Sequence, residues 1–264
     1  MGRKKTIVIL IVLTVIFLAL SILIPGSHEH SDIKIAMKDA VLHETNKISL
    51  LGIKDVNPGL IAAFVVTGII TIISLILRIF FIPRFKVIPG KVQIIVEEAV
   101  GIFRNMAIEN SPHRNKALSV YIFTAGVYIF ISTLFELFGV QWIATNGNSV
   151  TLPAPLSDIN AAIAMGFLSF FFIMSGGVAA KGPKGVLTAL KDFSLPISMS
   201  FRLFGALLSG LLVTDLVYHF ISLSFVLPVV VAILFTLLHA LIQAYVLTML
   251  TALFYGEVSE THHN

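Results

Sequence analysis

A run of about 20 uncharged apolar residues restricts a chain more than any other feature, because a helix of that length crosses a hydrocarbon core about 30 Å thick. This sequence has several such runs, at residues 6–24, 60–82 (where Arg78 near the end is the one charge), 117–135 and 159–180, followed by an almost uninterrupted stretch from 193 to 256. Of its 264 residues 57% are hydrophobic and 12% charged, far from the balance of a soluble domain. The expected fold is therefore an all-α polytopic membrane protein of about six hydrophobic helices. The net charge of +4 does not point to nucleic acid, since the basic residues sit at the ends of apolar runs and form no continuous patch. Cysteine is absent, which removes disulfides and thiolate metal or redox chemistry.

The first run follows "MGRKK". It reads either as a retained span or as a signal-like segment, and no small-x-small cleavage pattern precedes "PGSHEHSD". Residues 1–58 form a first unit of span and polar segment, and residues 59–264 the main membrane domain. Between the spans, residues 92–106 place Val92, Val96, Ala99, Phe103 and Met106 on one helical stripe, opposite Glu97, Glu98, Arg104 and Asn105. That pattern predicts an amphipathic helix lying along the interface. Basic flanks at "MGRKK", "PRFKVIPGK", "SPHRNK" and "KGPKGVLTALKD" alternate with poorly basic connections, so the positive-inside rule makes all four cytoplasmic. The closing stretch predicts two helices turning at Pro228. The second, residues 229–256, would be about 42 Å long at 1.5 Å per residue and must tilt strongly or run partly along the membrane.

Within "FSLPISMSFRLFGALLSGLLV", residues 193–213, the single charge is Arg202. An arginine at that depth costs roughly 2.5–3.5 kcal/mol on insertion scales, and it cannot shed its proton to escape. Either it snorkels, as Arg78 can near the end of its span, or pairs with a carboxylate, or serves a function. Ser198, Gly205, Ala206, Ser209 and Gly210 share its helical face; such a stripe admits a close neighbour, whether another helix of this chain or a partner. On the last helix His239 and Gln243 stand at i and i+4, with Thr236 nearby. They act either as interhelical glue or as functional groups; an antiparallel hairpin would bring Gln243 level with Arg202. Asp215 and His219 make another i, i+4 pair, Glu136 ends one span, and Asp158, followed by Asn160, opens the next. These are groups from which a proton route can be built, and equally groups that gather at span ends. The His-rich "SHEH" and "THHN" lack a scaffold with a full ligand set, so no metal or cofactor is expected. Nucleotide-binding GxxxxGK[ST], GxSxG and HExxH motifs are absent, and the chain is expected to be no enzyme by itself.

Several segments carry a family resemblance. "SLPISMSFRLFGALLSG" resembles the central-arginine motif, P-x-S-x-x-x-RLFGN, of subunit a of F-type ATP synthases, and "ALIQAYVLTMLTALFY" is similar to that family's final helix. "VIPGKVQIIVEEAV" resembles its P-x-x-x-Q-x-x-x-E stretch, "PLSDIN" its P-x-x-D-x-N loop, and "STLFELFG" its N-L-x-x-L-x-P/G span end. The matches run in family order from about residue 59 to 256. The resemblance implies an ion-translocating stator subunit, most simply for protons, with two half-channels against a proteolipid c-ring. Arg202 would be the essential arginine, Gln243 its partner and Glu136 a carboxylate of the external half-channel. It also implies the peripheral-stalk subunit b and other ATP synthase subunits as partners, a bacterial-type plasma membrane and a cytoplasmic C-terminus. The sequence departs from the family pattern at Ala206, where an asparagine is usual, at Leu211, one turn before Asp215, and at Thr188, one turn before Asp192. His239, roughly level with Ala206 in an antiparallel hairpin, would compensate for the missing amide. The competing readings are a secondary transporter that binds an anionic substrate at Arg202 and a non-conducting membrane scaffold.

Overall fold

The structure is a computed structural model that describes residues 12, 15–16, 47–50, 53–145, 147, 149–219 and 232–260. The expected first span, most of the polar segment after it and the expected turn at Pro228 lie outside the described residues. Among the described residues seven α-helices dominate: α1 (Pro58–Ile76), α2 (Lys91–Asn110), α3 (Asn115–Phe135), α4 (Ile159–Lys181), α5 (Pro183–Leu190), α6 (Ser194–His219) and α7 (Leu238–Ser259). Two short antiparallel hairpins, β1 (Ile48–Leu50) with β2 (Ile53–Val56) and β3 (Gln141–Ile143) with β4 (Ser149–Thr151), were not expected. With its wide and 3-10 turns α1 reaches Arg84, and α3 reaches Phe138; these two, α4 and α7 are each long and apolar enough to cross a membrane. The pair α5 and α6, bent by 53°, passes as a fifth. The protein is thus the multi-pass, all-α membrane protein that the sequence predicts.

The ends of these helices follow from local chemistry. Asn57 caps α1 by accepting from the Gly59 N–H at 2.8 Å, and Pro58 occupies the first turn, where its missing N–H is no loss. After α3, Gly139 at φ 55° closes the 3-10 turn in the left-handed region that glycine enters without penalty. Every described basic connection then falls at one end of the bundle, and both hairpins, Glu136 and Asp158 fall at the other.

The loop leading into α2 is held by Gln93, 9% exposed. Its Nε2 donates to the Lys86 carbonyl (2.9 Å) and the Glu97 carboxylate (2.8 Å), while its Oε1 accepts from the Lys86 N–H (3.0 Å). That gives the Q-x-x-x-E spacing a physical meaning: one amide closes the loop and the next helical turn orients the amide. Met106 of the expected stripe is buried and Val96, Ala99 and Phe103 are half-buried, whereas Val92 is exposed. Ile94, Ile95 and Ile102 are exposed on the same helix, so its apolar surface is wider than one stripe.

The packing order is not the chain order. The last helix, α7, wedges between α3 and α4, and α6 lies on the other side of α4. Ala240, Ala244, Thr248, Thr251 and Ala252 of α7 are buried there with Leu247, the five being small residues that let helices approach closely. A stack of rings joins the three helices: Tyr121 on Phe172 with centroids 4.1 Å apart, and Phe172 on Tyr255 at 5.1 Å. The Tyr121 hydroxyl pairs with the Ser169 hydroxyl at 2.9 Å. Gly176 makes room for Tyr255, since a Cβ there would lie 2.3 Å from its ring. Helix α1 stands apart: beyond Pro58 and Gly59 in its first turn it buries Ile61, Ala62 and Val66, against Ile48, Phe135 and Leu152.

Candidate functional site

Helix α6 presents two distinct faces. Leu195, Met199, Ser200, Leu203 and Leu207 are buried, and Ser198, Arg202, Gly205 and Ser209 are exposed, with Ala206 and Gly210 between the two. The buried face fits α4 closely: a Cβ on Gly166 would lie 2.7 Å from the Pro196 carbonyl and 2.3 Å from the Ser200 hydroxyl. A Cβ on Gly205 would meet nothing within 4 Å. Along most of its length the small-residue stripe around Arg202 is therefore not covered by this chain's described helices. Among the described residues no carboxylate pairs with Arg202.

Helix α7 touches α6 only over a short part of its length, and the polar residues cluster there. Gln243, 5% exposed, donates from Nε2 to the Arg202 carbonyl oxygen at 3.3 Å. One turn earlier, the His239 Nδ1 lies 3.7 Å from where a Cβ on Gly210 would stand. The ring is thus beside Gly210, one turn beyond Ala206. A wide π-turn at Ala232–Leu237 precedes α7; Thr236 in it is buried. The 3-10 turn that carries Glu136 packs against this π-turn. Glu136 and the His239 helix are in this way brought together at the end of the bundle away from the basic connections.

Asp158 has a different position. Its Oδ1 accepts from the N–H groups of Asn160 (2.7 Å) and Ala161 (3.3 Å), capping α4, and its Oδ2 accepts from the side-chain amide of Asn57. Two N-caps, of α1 and α4, are thereby bonded to each other. Asn160 is exposed at the same helix start. Asp215 and His219 fall on the last turns of α6, and their side chains lie outside the described part. "SHEH" and "THHN" lie outside it as well; among the described residues no group of His, Asp or Glu could hold a metal ion.

A second polar cluster, at the basic end, had no signal in the sequence because its members are some 150 positions apart. The Glu260 carboxylate accepts from the Ser111 hydroxyl (2.9 Å), the His113 N–H (3.2 Å) and the His113 ring (2.8 Å). Burial pushes this carboxyl up, but the hydrogen bonds and the neighbouring imidazole outweigh it and hold the group below the ordinary carboxylate range. The cluster fastens the C-terminal end of α7 to the loop between α2 and α3. Alongside it, a Cβ on Gly256 would lie 2.1 Å from the Asn110 carbonyl.

The sequence matches the family described as ATP synthase A chain over residues 61–256, which takes in every helix from α1 to α7 apart from the extreme ends. Similar curated proteins include "ATP synthase subunit a" from each of two strains of Cereibacter sphaeroides, both 28% identical over 193 residues, covering 68% of this chain and 74% of the relative. An arginine-bearing helix with an open small-residue face, met by a buried glutamine from the last helix, belongs to a chain whose matched region runs through both, and the protein is a member of the ATP synthase subunit a family, the membrane-sector subunit of that enzyme and not its catalytic one.

Proposed function

We propose that the chain is the ion-translocating stator subunit of a rotary F-type ATP synthase, most simply for protons, and that the open face of α6 is where a proteolipid c-ring passes. One observation carries this reading: Arg202 stands on the face of α6 that this chain's described helices leave uncovered, among residues small enough for another helix to approach. A ring carboxylate passing the guanidinium is favoured in its ionised form and so releases its proton. The same fixed cation repels protons that would leak between two offset half-channels. Gln243, held beside the Arg202 main chain, sets the spacing of the two helices. His239, Glu136, Asp215 and His219 serve the half-channel at the end away from the basic connections, and Asp158 with Asn160 holds that end in shape. Each charge crossing 100 mV supplies about 2.3 kcal/mol, so several cross for each ATP made elsewhere in the complex.

The remaining assignments follow from this reading. Residues 59–264 form the channel domain, and 1–58 a leading span and external segment. The c-ring, the peripheral-stalk subunit b and the other ATP synthase subunits are the partners. The membrane is a bacterial-type plasma membrane with the C-terminus cytoplasmic, the side that the positive-inside rule gives to the basic end, and the chain has no catalysis of its own. The test is purification from its native membrane followed by reconstitution. A stator subunit co-purifies with a ring of small proteolipids and is inert in liposomes alone. Uptake of an anionic solute by the isolated chain would establish a secondary transporter instead.

A further inference from the structure

At the basic end, between the start of α3 and the ends of α4 and α7, lies an open cavity of about 650 Å³. Arg114 and Lys116 line one side of it, Phe172 and Ala179 the other, with Tyr255 between them. Tyr255 is 4% exposed, and its hydroxyl, which makes no hydrogen bond among the described residues, is not itself fully buried but opens on the cavity that the residue lines, with Arg114 and Glu260 both close enough to act on it electrostatically. Of the basic residues at this cavity His113 is engaged by Glu260 at 2.8 Å, and Arg114 and Lys116 meet no carboxylate among the described residues. The cavity thus combines two cations without a carboxylate partner, an unbonded hydroxyl donor open to it and an apolar wall near the level where the spans end.

We propose that this cavity binds the phosphate headgroup of an anionic phospholipid, with Arg114, Lys116 and the Tyr255 hydroxyl on the phosphate oxygens and an acyl chain along Phe172 and Ala179. Basic pockets between membrane helices at the cytoplasmic surface have the chemistry for such headgroups, and the apolar wall gives an acyl chain a surface that a free anion would leave uncovered. The site lies at the opposite end of the bundle from Glu136 and His239 and does not depend on the ion-translocation reading.

The test uses the intact complex containing this chain, purified in detergent and titrated with phosphatidylglycerol or with phosphatidylcholine of the same acyl chains, bound lipid being counted by native mass spectrometry. The expected result is one tightly held phosphatidylglycerol per chain, not matched by phosphatidylcholine. Tyr255→Phe keeps the ring stack and removes only the hydroxyl; it should weaken that binding roughly tenfold, the scale of one hydrogen bond to a charged group. Arg114→Gln with Lys116→Gln should abolish it, while Lys184→Gln with Lys191→Gln, at the same end but off the cavity, should leave it unchanged. Equal retention of both lipids, or retention unaffected by Tyr255→Phe and by the Arg114 and Lys116 pair, would overturn the proposal. Displacement of the lipid by millimolar inorganic phosphate would also overturn it, by assigning the site to a soluble anion.

Discussion

The side-chain amide of Gln243 donates to the main-chain carbonyl of Arg202, not to its side chain. This contact between α7 and α6 is therefore independent of the residue at position 202, and the guanidinium is left for whatever approaches the open face.

Arg202→Ala should consequently assemble at normal levels while coupled ATP synthesis in inverted vesicles falls to background. Arg202→Lys should do the same, since it keeps a charge but loses the planar fork and can deprotonate when desolvated. Synthesis near the wild-type rate in either variant would remove the arginine from the mechanism, and loss of assembly would show that its role is structural.

Two glycines separate packing inside the chain from packing against a partner. Gly166→Ala forces a methyl group against the Pro196 carbonyl and the Ser200 hydroxyl, and overpacking of this kind costs about 1–3 kcal/mol. Its thermal midpoint in detergent should drop accordingly. Gly205→Leu meets nothing within 4 Å in this chain, so the isolated subunit should be as stable as the wild type to within about 0.5 kcal/mol. In the assembled enzyme, however, the larger side chain stands beside Arg202, and synthesis should fall at least tenfold. A fully active Gly205→Leu enzyme would mean that no partner passes this face.

What the sequence made legible was set by residues close together along it. Helices α3 and α4, expected at 117–135 and 159–180, occur at Asn115–Phe135 and Ile159–Lys181, because the transition from apolar to charged residues locates a span end within a turn. The open stripe on α6 was likewise readable, since helical spacing alone places those residues on one face. The packing order was not: α7 lies between α3 and α4 because glycines such as Gly126 and Gly176 accept neighbours far away in sequence, and no local pattern names that neighbour. His239, expected roughly level with Ala206 by antiparallel counting, has its ring beside Gly210, one turn further along α6. Asp158 is a different case. An aspartate directly before an apolar helical run is a standard N-cap signal, and the same side chain is equally a titratable group at a span end, so the sequence alone does not separate the two roles.

The link between Glu260 and the loop at Ser111 and His113 should be sensitive to acid. A carboxyl held below its unfolded value of 4.5 stabilises the fold fully above that value, and the contribution is lost as pH falls through the folded value. Glu260→Gln should therefore lower the thermal midpoint at pH 7 by about 1–2 °C, a modest shift because partial exposure screens the pair. The gap between variant and wild type should close on acidification below about pH 4. A gap that persists at pH 3 would show that the hydrogen bonds stabilise the fold without the carboxylate charge.

Asp158 offers the sharpest separation of architecture from ion transfer. Its two oxygens are spent on the first turn of α4 and on Asn57, and an asparagine can cap nearly as well while carrying no titratable proton. Asp158→Ala removes both the cap and the link to α1, and should destabilise the subunit by about 1–2 kcal/mol. Asp158→Asn should restore most of that stability. If Asp158 acts by holding the helix ends, Asp158→Asn vesicles will also retain most of the wild-type ATP synthesis rate. A stable Asp158→Asn enzyme that assembles and yet fails to synthesise ATP would instead place this carboxylate on the path of the ion.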